Sequence, residues 1–104
     1  MAQIINITTA QFPEMTKAGR VLVDFWSPTC GPCRMQGKIL EEMAADKDLA
    51  EVKFLKVNVY EEMDLAVQFQ VNAIPMLLVF KDGTVTKSFV GVQSAETIKE
   101  AVLA

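Results

Sequence analysis

Cys30 and Cys33 are the only two cysteines of this 104-residue chain, and Gly31 and Pro32 separate them. Such a pair can exchange electrons with a disulfide, form a structural bridge, or contribute to a metal site. The chain has no histidine, which excludes histidine-containing metal sites and histidine-activated nucleophiles. A bridge across so short a loop stabilises little, about 2 kcal/mol in the loop-entropy model. The spacing therefore favours a redox dithiol, and leaves open an inert pair or a metal site shared between two chains.

The position of the pair at the start of a predicted helix indicates different roles for its two thiols. Cys30 falls at or just before the helix start, where unpaired N–H groups and the positive end of the helix dipole stabilise a thiolate. Pro32 is tolerated there because its missing N–H would have no partner in the first turn. Cys33 lies inside that turn and should be less accessible. We predict that Cys30 is the nucleophile and that Cys33 resolves the mixed disulfide.

Asp24 is the only ionisable residue in the apolar run 21–26. Burial would raise the pKa of this carboxyl, and Asp24 could then pass protons to or from Cys33. The alternative is an edge position, where the carboxylate would reach water. Lys56 stands alone among apolar residues in 54–57. It is the candidate electrostatic partner of Asp24, unless it only extends to solvent at a sheet edge.

These residues must be positioned by strands and helices that alternate along the chain. Apolar runs predict strands over 3–7, 21–26, 52–59, 76–81 and 84–90, the last two joined by a hairpin turn at Asp82-Gly83. Capping residues and helical spacing predict four helices, at about 8–19, 31–47, 61–69 and after Ser94. The order predicts an α/β fold with a mixed sheet covered on both faces, in one domain, 1–104.

The spacing of apolar residues supports the second and third of these helices. In the second helix Met35, Ile39 and Met43 recur at intervals of four residues, with Leu40 and Ala44 beside them. In the third helix the predicted apolar residues are Met63, Ala66 and Val67. The first set predicts one apolar face of its helix, and the second supports a helix over 61–69.

The composition and net charge make several classes of function unfavourable. Apolar residues make up 51% and charged residues 22% of the chain, and the net charge is −3. This composition is globular and is unfavourable for binding nucleic acid or anionic membranes. No targeting segment is visible, and the longest uncharged stretch, 69–80, is too short to span a bilayer. We expect a cytoplasmic protein.

The chain closely resembles the thioredoxin family over essentially its whole length. The segments that carry the resemblance are 21–35, which includes Cys30-Gly31-Pro32-Cys33, then 56–59, 71–77, 80–83, Gly91 and the last helix. It implies five strands in a mixed sheet, four flanking helices, and reduction of protein disulfides by Cys30 and Cys33. The resemblance also implies that Asp24 is a buried carboxyl that transfers protons and that Lys56 is its neighbour.

The resemblance also implies a substrate surface and partners. The substrate-binding residues would be Trp26, Thr29, Gly31, Pro32, Ile74, Pro75 and Gly91. Pro75 would follow a cis peptide bond and pack against the cysteine pair. The reductant would be an NADPH-dependent thioredoxin reductase, so the chain itself would bind no cofactor or metal. We expect a monomer.

The chain departs from the usual pattern of the family at several positions. Thr29 stands where Trp is most frequent, Met76 where Thr is usual, Tyr60 where an acidic residue is common, and Lys38 where Pro is common. Thr29 bears on substrate range and on pairing with the reductase. Two alternative functions remain: a binding or assembly module on the same fold, and a glutathione-linked carrier similar to glutaredoxin, which Gly31-Pro32 and the Asp24–Lys56 pair fit less well.

Overall fold

A computed structural model describes residues 2–104. Five strands form one sheet: β1 (Ile4–Asn6), β2 (Arg20–Trp26), β3 (Lys53–Asn58), β4 (Met76–Lys81) and β5 (Thr84–Val90). Four α-helices flank it: α1 (Phe12–Thr16), α2 (Gly31–Met43), α3 (Met63–Gln68) and α4 (Ala95–Leu103). The element order and the α/β class predicted above are confirmed.

Strand β2 lies at the centre of the sheet, in which the spatial order is β1-β3-β2-β4-β5. It pairs in parallel with β3 and antiparallel with β4. Residues 21–25 are all buried, as expected for a strand with neighbours on both edges and helices over both faces. This position places Asp24 in the interior of the protein and excludes the edge alternative.

The two faces of the sheet pack against different helices. Leu22, on one face of β2, packs in a cluster with Leu40 of α2 and Ile98 of α4. Val23, on the other face, packs in a cluster with Phe12 of α1 and Leu65 of α3. Because side chains alternate along a strand, Asp24 and Trp26 share the face of Leu22. They therefore lie on the side covered by α2.

The predicted hairpin joins β4 to β5. Asp82 and Gly83 both adopt positive φ angles, 49° and 87°. An Asp-Gly pair tolerates this conformation, and the resulting turn matches the twist of the two strands. Thr84 pairs with Lys81 directly across the turn.

Two helices bury only some of the apolar residues on which their prediction rested. Helix α2 ends at Met43, a separate 3₁₀ turn spans Lys47–Leu49, and the buried residues are Cys33, Gln36, Leu40 and Met43. Of the predicted apolar residues, Leu40, Met43 and Ala44 are buried and Ile39 packs against the core, whereas Met35 is 60% exposed. In α3 the buried residue is Leu65, whereas Met63 and Val67 are exposed.

The predicted start of the first helix is confirmed in part. Thr8 and Gln11 cap the turn that leads into α1, because Thr8 Oγ1 accepts from Gln11 N at 3.3 Å and Gln11 Oε1 accepts from Thr8 N at 2.9 Å. The N-cap of α1 is Gln11, and its side chain accepts no hydrogen bond from the first turn of the helix itself. Thr9 instead donates from its main chain and its hydroxyl to Glu62 Oε1, at 2.7 and 2.9 Å. Ser94 caps α4 as predicted, since its Oγ accepts from Thr97 N. Within residues 2–104, no helix has the length and apolar composition needed to cross a membrane.

Candidate redox site

Cys30 and Cys33 form a disulfide at the first turn of α2, with their Cα atoms 5.2 Å apart. Cys30 is the N-cap residue, and its Sγ accepts a hydrogen bond from Cys33 N at 3.1 Å. Cys30 is half-buried, whereas Cys33 is only 3% exposed. The main-chain donor and the helix N-terminus both favour negative charge on Cys30 Sγ when the disulfide is reduced.

The loop before β4 approaches the disulfide from the far end of the sequence. The Ile74–Pro75 peptide bond is cis, as the resemblance implied. Ile74 O lies 3.9 Å from Cys30 Sγ, which identifies this loop as one wall of the site. Pro75 O accepts a hydrogen bond from Gly91 N at 2.8 Å. Pro75 therefore connects the disulfide region to the residues that follow β5.

Asp24 is completely buried, and neither of its carboxylate oxygens has a hydrogen-bond partner within the described residues. Loss of hydration raises the pKa of Asp24 from 3.8 to about 7, although the positive charge of Lys56 acts in the opposite direction. A buried carboxyl without hydrogen-bond partners keeps its proton until the pH approaches its pKa. Asp24 can therefore hold or release a proton near neutral pH.

Lys56 lies beside Asp24 because the register of β2 and β3 aligns the two residues. Its ammonium group does not extend to the carboxylate. Instead, Lys56 Nζ lies 4.2 Å from the centroid of the Trp26 ring, a cation–π contact. Lys56 thus links the buried acid to the only tryptophan of the chain. The structure places the two predicted residues next to each other, and the contact of Lys56 with the Trp26 ring was not predicted.

The other predicted substrate-binding residues differ in their exposure. Gly31, Pro32 and Thr29 are exposed at the start of α2, and Trp26 is half-buried. Thr29 Oγ1 lies 3.4 Å from Ser27 Oγ. The indole Nε1 of Trp26 is buried and has no partner within the described residues.

An open groove of about 780 Å³ runs along α3 and reaches Ile74 at one side. Of the predicted substrate-binding residues only Ile74 lines it, together with the exposed apolar side chains of Tyr60, Met63 and Val67. The available signal in the sequence was the apolar character of Met63 and Val67, both of which are exposed on α3.

Gln36 is a polar residue at the site that sequence reasoning missed. It is completely buried on the inner face of α2, three residues after Cys33. Its Oε1 accepts from Gln93 N at 2.7 Å, and its Nε2 donates to Gln93 O at 3.2 Å. The available signal was its spacing of three and four residues from Cys33 and Leu40, which places it on the buried stripe.

The site thus combines a half-exposed sulfur at a helix N-terminus, a second sulfur beneath it, and a buried acid that titrates near neutral pH. The disulfide is the oxidised form of a dithiol that can carry two electrons. The acid lies on the sheet face that α2 covers, and Cys33 is on the buried side of α2. In such a site one thiol can attack the disulfide of another protein, and the other thiol can then form the internal disulfide.

Comparisons with known proteins agree with this arrangement. A family model described as Thioredoxin matches residues 3–104. A thioredoxin of Staphylococcus haemolyticus is 41% identical over 99 residues, covering 95% of this chain and 94% of the relative. A thioredoxin of Staphylococcus aureus is 40% identical with the same coverage.

Solved structures show the same fold. The thioredoxin of Malassezia sympodialis superposes with a TM-score of 0.87 at 28% identity, covering 99% of this chain and 93% of that one. A mutant thioredoxin from Halobacterium salinarum superposes with a TM-score of 0.85 at 26% identity, covering 96% and 88%.

Proposed function

The chain belongs to the thioredoxin family and is a protein-disulfide oxidoreductase, and we propose that Cys30 is its attacking thiol and Cys33 its resolving thiol. The observation that carries this assignment is the difference in burial between the two sulfurs. Cys30 is half-buried at the N-cap of α2, whereas Cys33 is 3% exposed. A bulky protein disulfide can approach only the more exposed sulfur.

The proposed reaction has two steps. The Cys30 thiolate attacks one sulfur of the substrate disulfide, so that a Cys30–substrate bond forms and the substrate's own S–S bond breaks. The sulfur that leaves takes up a proton. The Cys33 thiol then loses its proton and attacks Cys30 Sγ, which releases the second substrate thiol and leaves the Cys30–Cys33 disulfide. Two electrons pass from this protein to the substrate.

Asp24 is the proposed proton acceptor for Cys33. Its pKa of about 7 matches a group that exchanges protons at neutral pH. Its place on the sheet face covered by α2 supports this role, because Cys33 is the buried sulfur on that helix. Lys56 is proposed to tune Asp24, since its charge lowers the pKa that burial raises.

The proposed substrate surface surrounds Cys30. It comprises Trp26, Thr29, Gly31, Pro32, Ile74, Pro75 and Gly91. The 3.9 Å approach of Ile74 O to Cys30 Sγ supports a role of this loop in aligning an incoming disulfide. Thr29 is exposed immediately before Cys30, where it would touch a docked protein.

Repeated turnover requires a donor that returns two electrons to the disulfide. We propose that this donor is an NADPH-dependent thioredoxin reductase. We also propose that the protein itself is cytoplasmic and monomeric and that residues 1–104 form one domain. Reduction by NADPH and a thioredoxin reductase should be much faster than reduction by glutathione alone. Faster reduction by glutathione would instead support the glutaredoxin-like alternative.

The roles of the cysteines are tested by trapping. The Cys33→Ser variant should accumulate a mixed disulfide with a protein substrate through Cys30, and Cys30→Ser should neither trap nor reduce the substrate. Non-reducing electrophoresis and peptide mass spectrometry identify the linked cysteine. Faster alkylation of Cys33 than of Cys30 in the reduced protein would contradict the assignment.

A further inference from the structure

The side chain of Gln36 and the main chain of Gln93 form a two-hydrogen-bond clamp. Gln36 Oε1 accepts from Gln93 N at 2.7 Å, and Gln36 Nε2 donates to Gln93 O at 3.2 Å. Gln36 is completely buried. A primary amide is suited to this contact because it presents one donor and one acceptor side by side.

Burying an amide in a helix face that packs on the sheet has a cost unless its polar atoms are paired. The neighbouring buried residues of α2, Leu40 and Met43, are apolar. An apolar residue at position 36 would fill the same space but would leave the N–H and C=O of Gln93 without these partners. The clamp therefore holds a specific main-chain segment and does more than fill the core.

The clamped segment, residues 91–93, borders the redox site. Gly91 N donates to Pro75 O at 2.8 Å, so one end of the segment is bonded to the loop beside Cys30. Gln93 Nε2 donates to Gly91 O at 3.3 Å, which ties the two ends together. The segment is thus bonded to the Pro75 loop at Gly91 and to α2 at Gln93.

The same helix carries both the cysteine pair and Gln36. Cys33 and Gln36 are separated by one helical turn on its buried face. A displacement of segment 91–93 relative to α2 would change the separation between Gly91 and the exposed Gly31 and Pro32. The clamp links the position of Gly91 to that of the disulfide.

We propose that Gln36 is a positioning residue that holds segment 91–93 in place for the docking of protein disulfides. This inference rests on the proposed function, in which Gly91 belongs to the substrate surface. Gln36 acts through the main chain of Gln93 and does not touch the substrate or the sulfurs. It should therefore affect reactions with a protein disulfide and leave reactions with a small disulfide nearly unchanged.

The test compares Gln36→Met with a matched control, Glu42→Met, at an exposed position of the same helix. Each reduced protein is mixed with insulin or with hydroxyethyl disulfide, and the rate constant for loss of its thiols is measured. For Gln36→Met we expect the rate with insulin to fall by about tenfold, equivalent to about 1.4 kcal/mol. The rate with hydroxyethyl disulfide, and both rates of Glu42→Met, should stay within about twofold of the unsubstituted protein.

Amide hydrogen exchange of Gln93 reports on the clamp independently, and its protection should be lost only in Gln36→Met. Equal slowing with both disulfides would overturn the inference, because Gln36 would then act on the thiols. An unchanged rate with insulin despite lost protection would also overturn it. If Gln36→Met does not fold, Gln36→Leu removes the same two hydrogen bonds with another uncharged side chain, and the same criteria apply to its two rates. If the unsubstituted protein reduces neither disulfide, the proposed function itself fails.

Discussion

Replacing Asp24 with asparagine should remove a pH-dependent penalty on the folded state. The carboxyl is completely buried and its oxygens have no hydrogen-bond partner within the described residues. Burial raises its pKa from 3.8 to about 7, against the opposing effect of Lys56. Asparagine has nearly the same shape and cannot ionise, so the variant isolates the effect of the charge.

The size of the effect follows from the pKa shift. A rise from 3.8 to about 7 is roughly three units, and each unit corresponds to about 1.4 kcal/mol between the two protonation states. Ionised Asp24 therefore destabilises the folded protein by about 4 kcal/mol. This is a large fraction of the free energy of unfolding of an ordinary domain, about 5–15 kcal/mol.

The raised pKa of Asp24 determines how the stability of the folded protein changes with pH. Below the unfolded-state pKa of 3.8 the carboxyl is neutral in both states and carries no penalty. Between 3.8 and about 7 the unfolded chain loses its proton while the folded protein keeps it, so the stability contributed by the neutral acid declines. Above about 7 the penalty is constant. The variant should therefore become more stable than the unsubstituted protein as the pH rises.

The assay is urea unfolding of the two disulfide-bonded proteins from about pH 4 to about pH 9, followed by circular dichroism. Subtracting one free energy of unfolding from the other removes shared contributions. Among these is Asp46, whose pKa is lowered by its hydrogen bond to Lys99. The difference should grow by about 4 kcal/mol across the range. Parallel curves would refute the buried-acid interpretation. Disulfide exchange near neutral pH should also be slower in the variant.

Two further predictions concern neighbours of the site. Replacing Lys56 with methionine removes the cation that lowers the pKa of Asp24. The pH above which the stability difference from an Asp24→Asn variant becomes constant should therefore move above 7. An unchanged plateau pH would contradict the coupling. Replacing the exposed Thr29 with tryptophan should change the apparent KM for a protein disulfide, or for the reductase, by about tenfold or less. A small disulfide should be nearly unaffected; equal effects on both substrates would show that Thr29 acts through Cys30.

The local order of elements and the identity of the reactive residues could be predicted from the sequence. Continuous apolar residues in 21–26 predict a strand with neighbours on both sides, and an Asp-Gly pair predicts a hairpin, because both signals depend on residues close together in the chain. The spacing of Cys30 and Cys33 at a helix start similarly predicts a dithiol with unequal thiols. The element order, the hairpin and the unequal burial of the two sulfurs are confirmed, whereas the roles of the two thiols stay predictions.

The contacts between distant segments were decided by the tertiary structure. Ile74 reaches Cys30 across 44 residues, and Gln93 reaches Gln36 across 57. No local pattern encodes such contacts, since they depend on strand order and on the crossing of helices over the sheet. The exposure of Met35 has the same origin, because the packing of α2 on the sheet decides which of its apolar residues are covered.

For Asp24, too, the sequence predicted the residue and the tertiary structure decided its neighbour. Asp24 and Lys56 were each recognisable as charged residues in apolar strands, and the sequence indicated that they could interact. The pairing of two strands brings these residues side by side from positions 24 and 56 of the sequence, and it places the ammonium of Lys56 against the ring of Trp26. A register shift of one residue would turn Lys56 to the opposite face of the sheet, so the proximity of the two charges exists only in the folded protein.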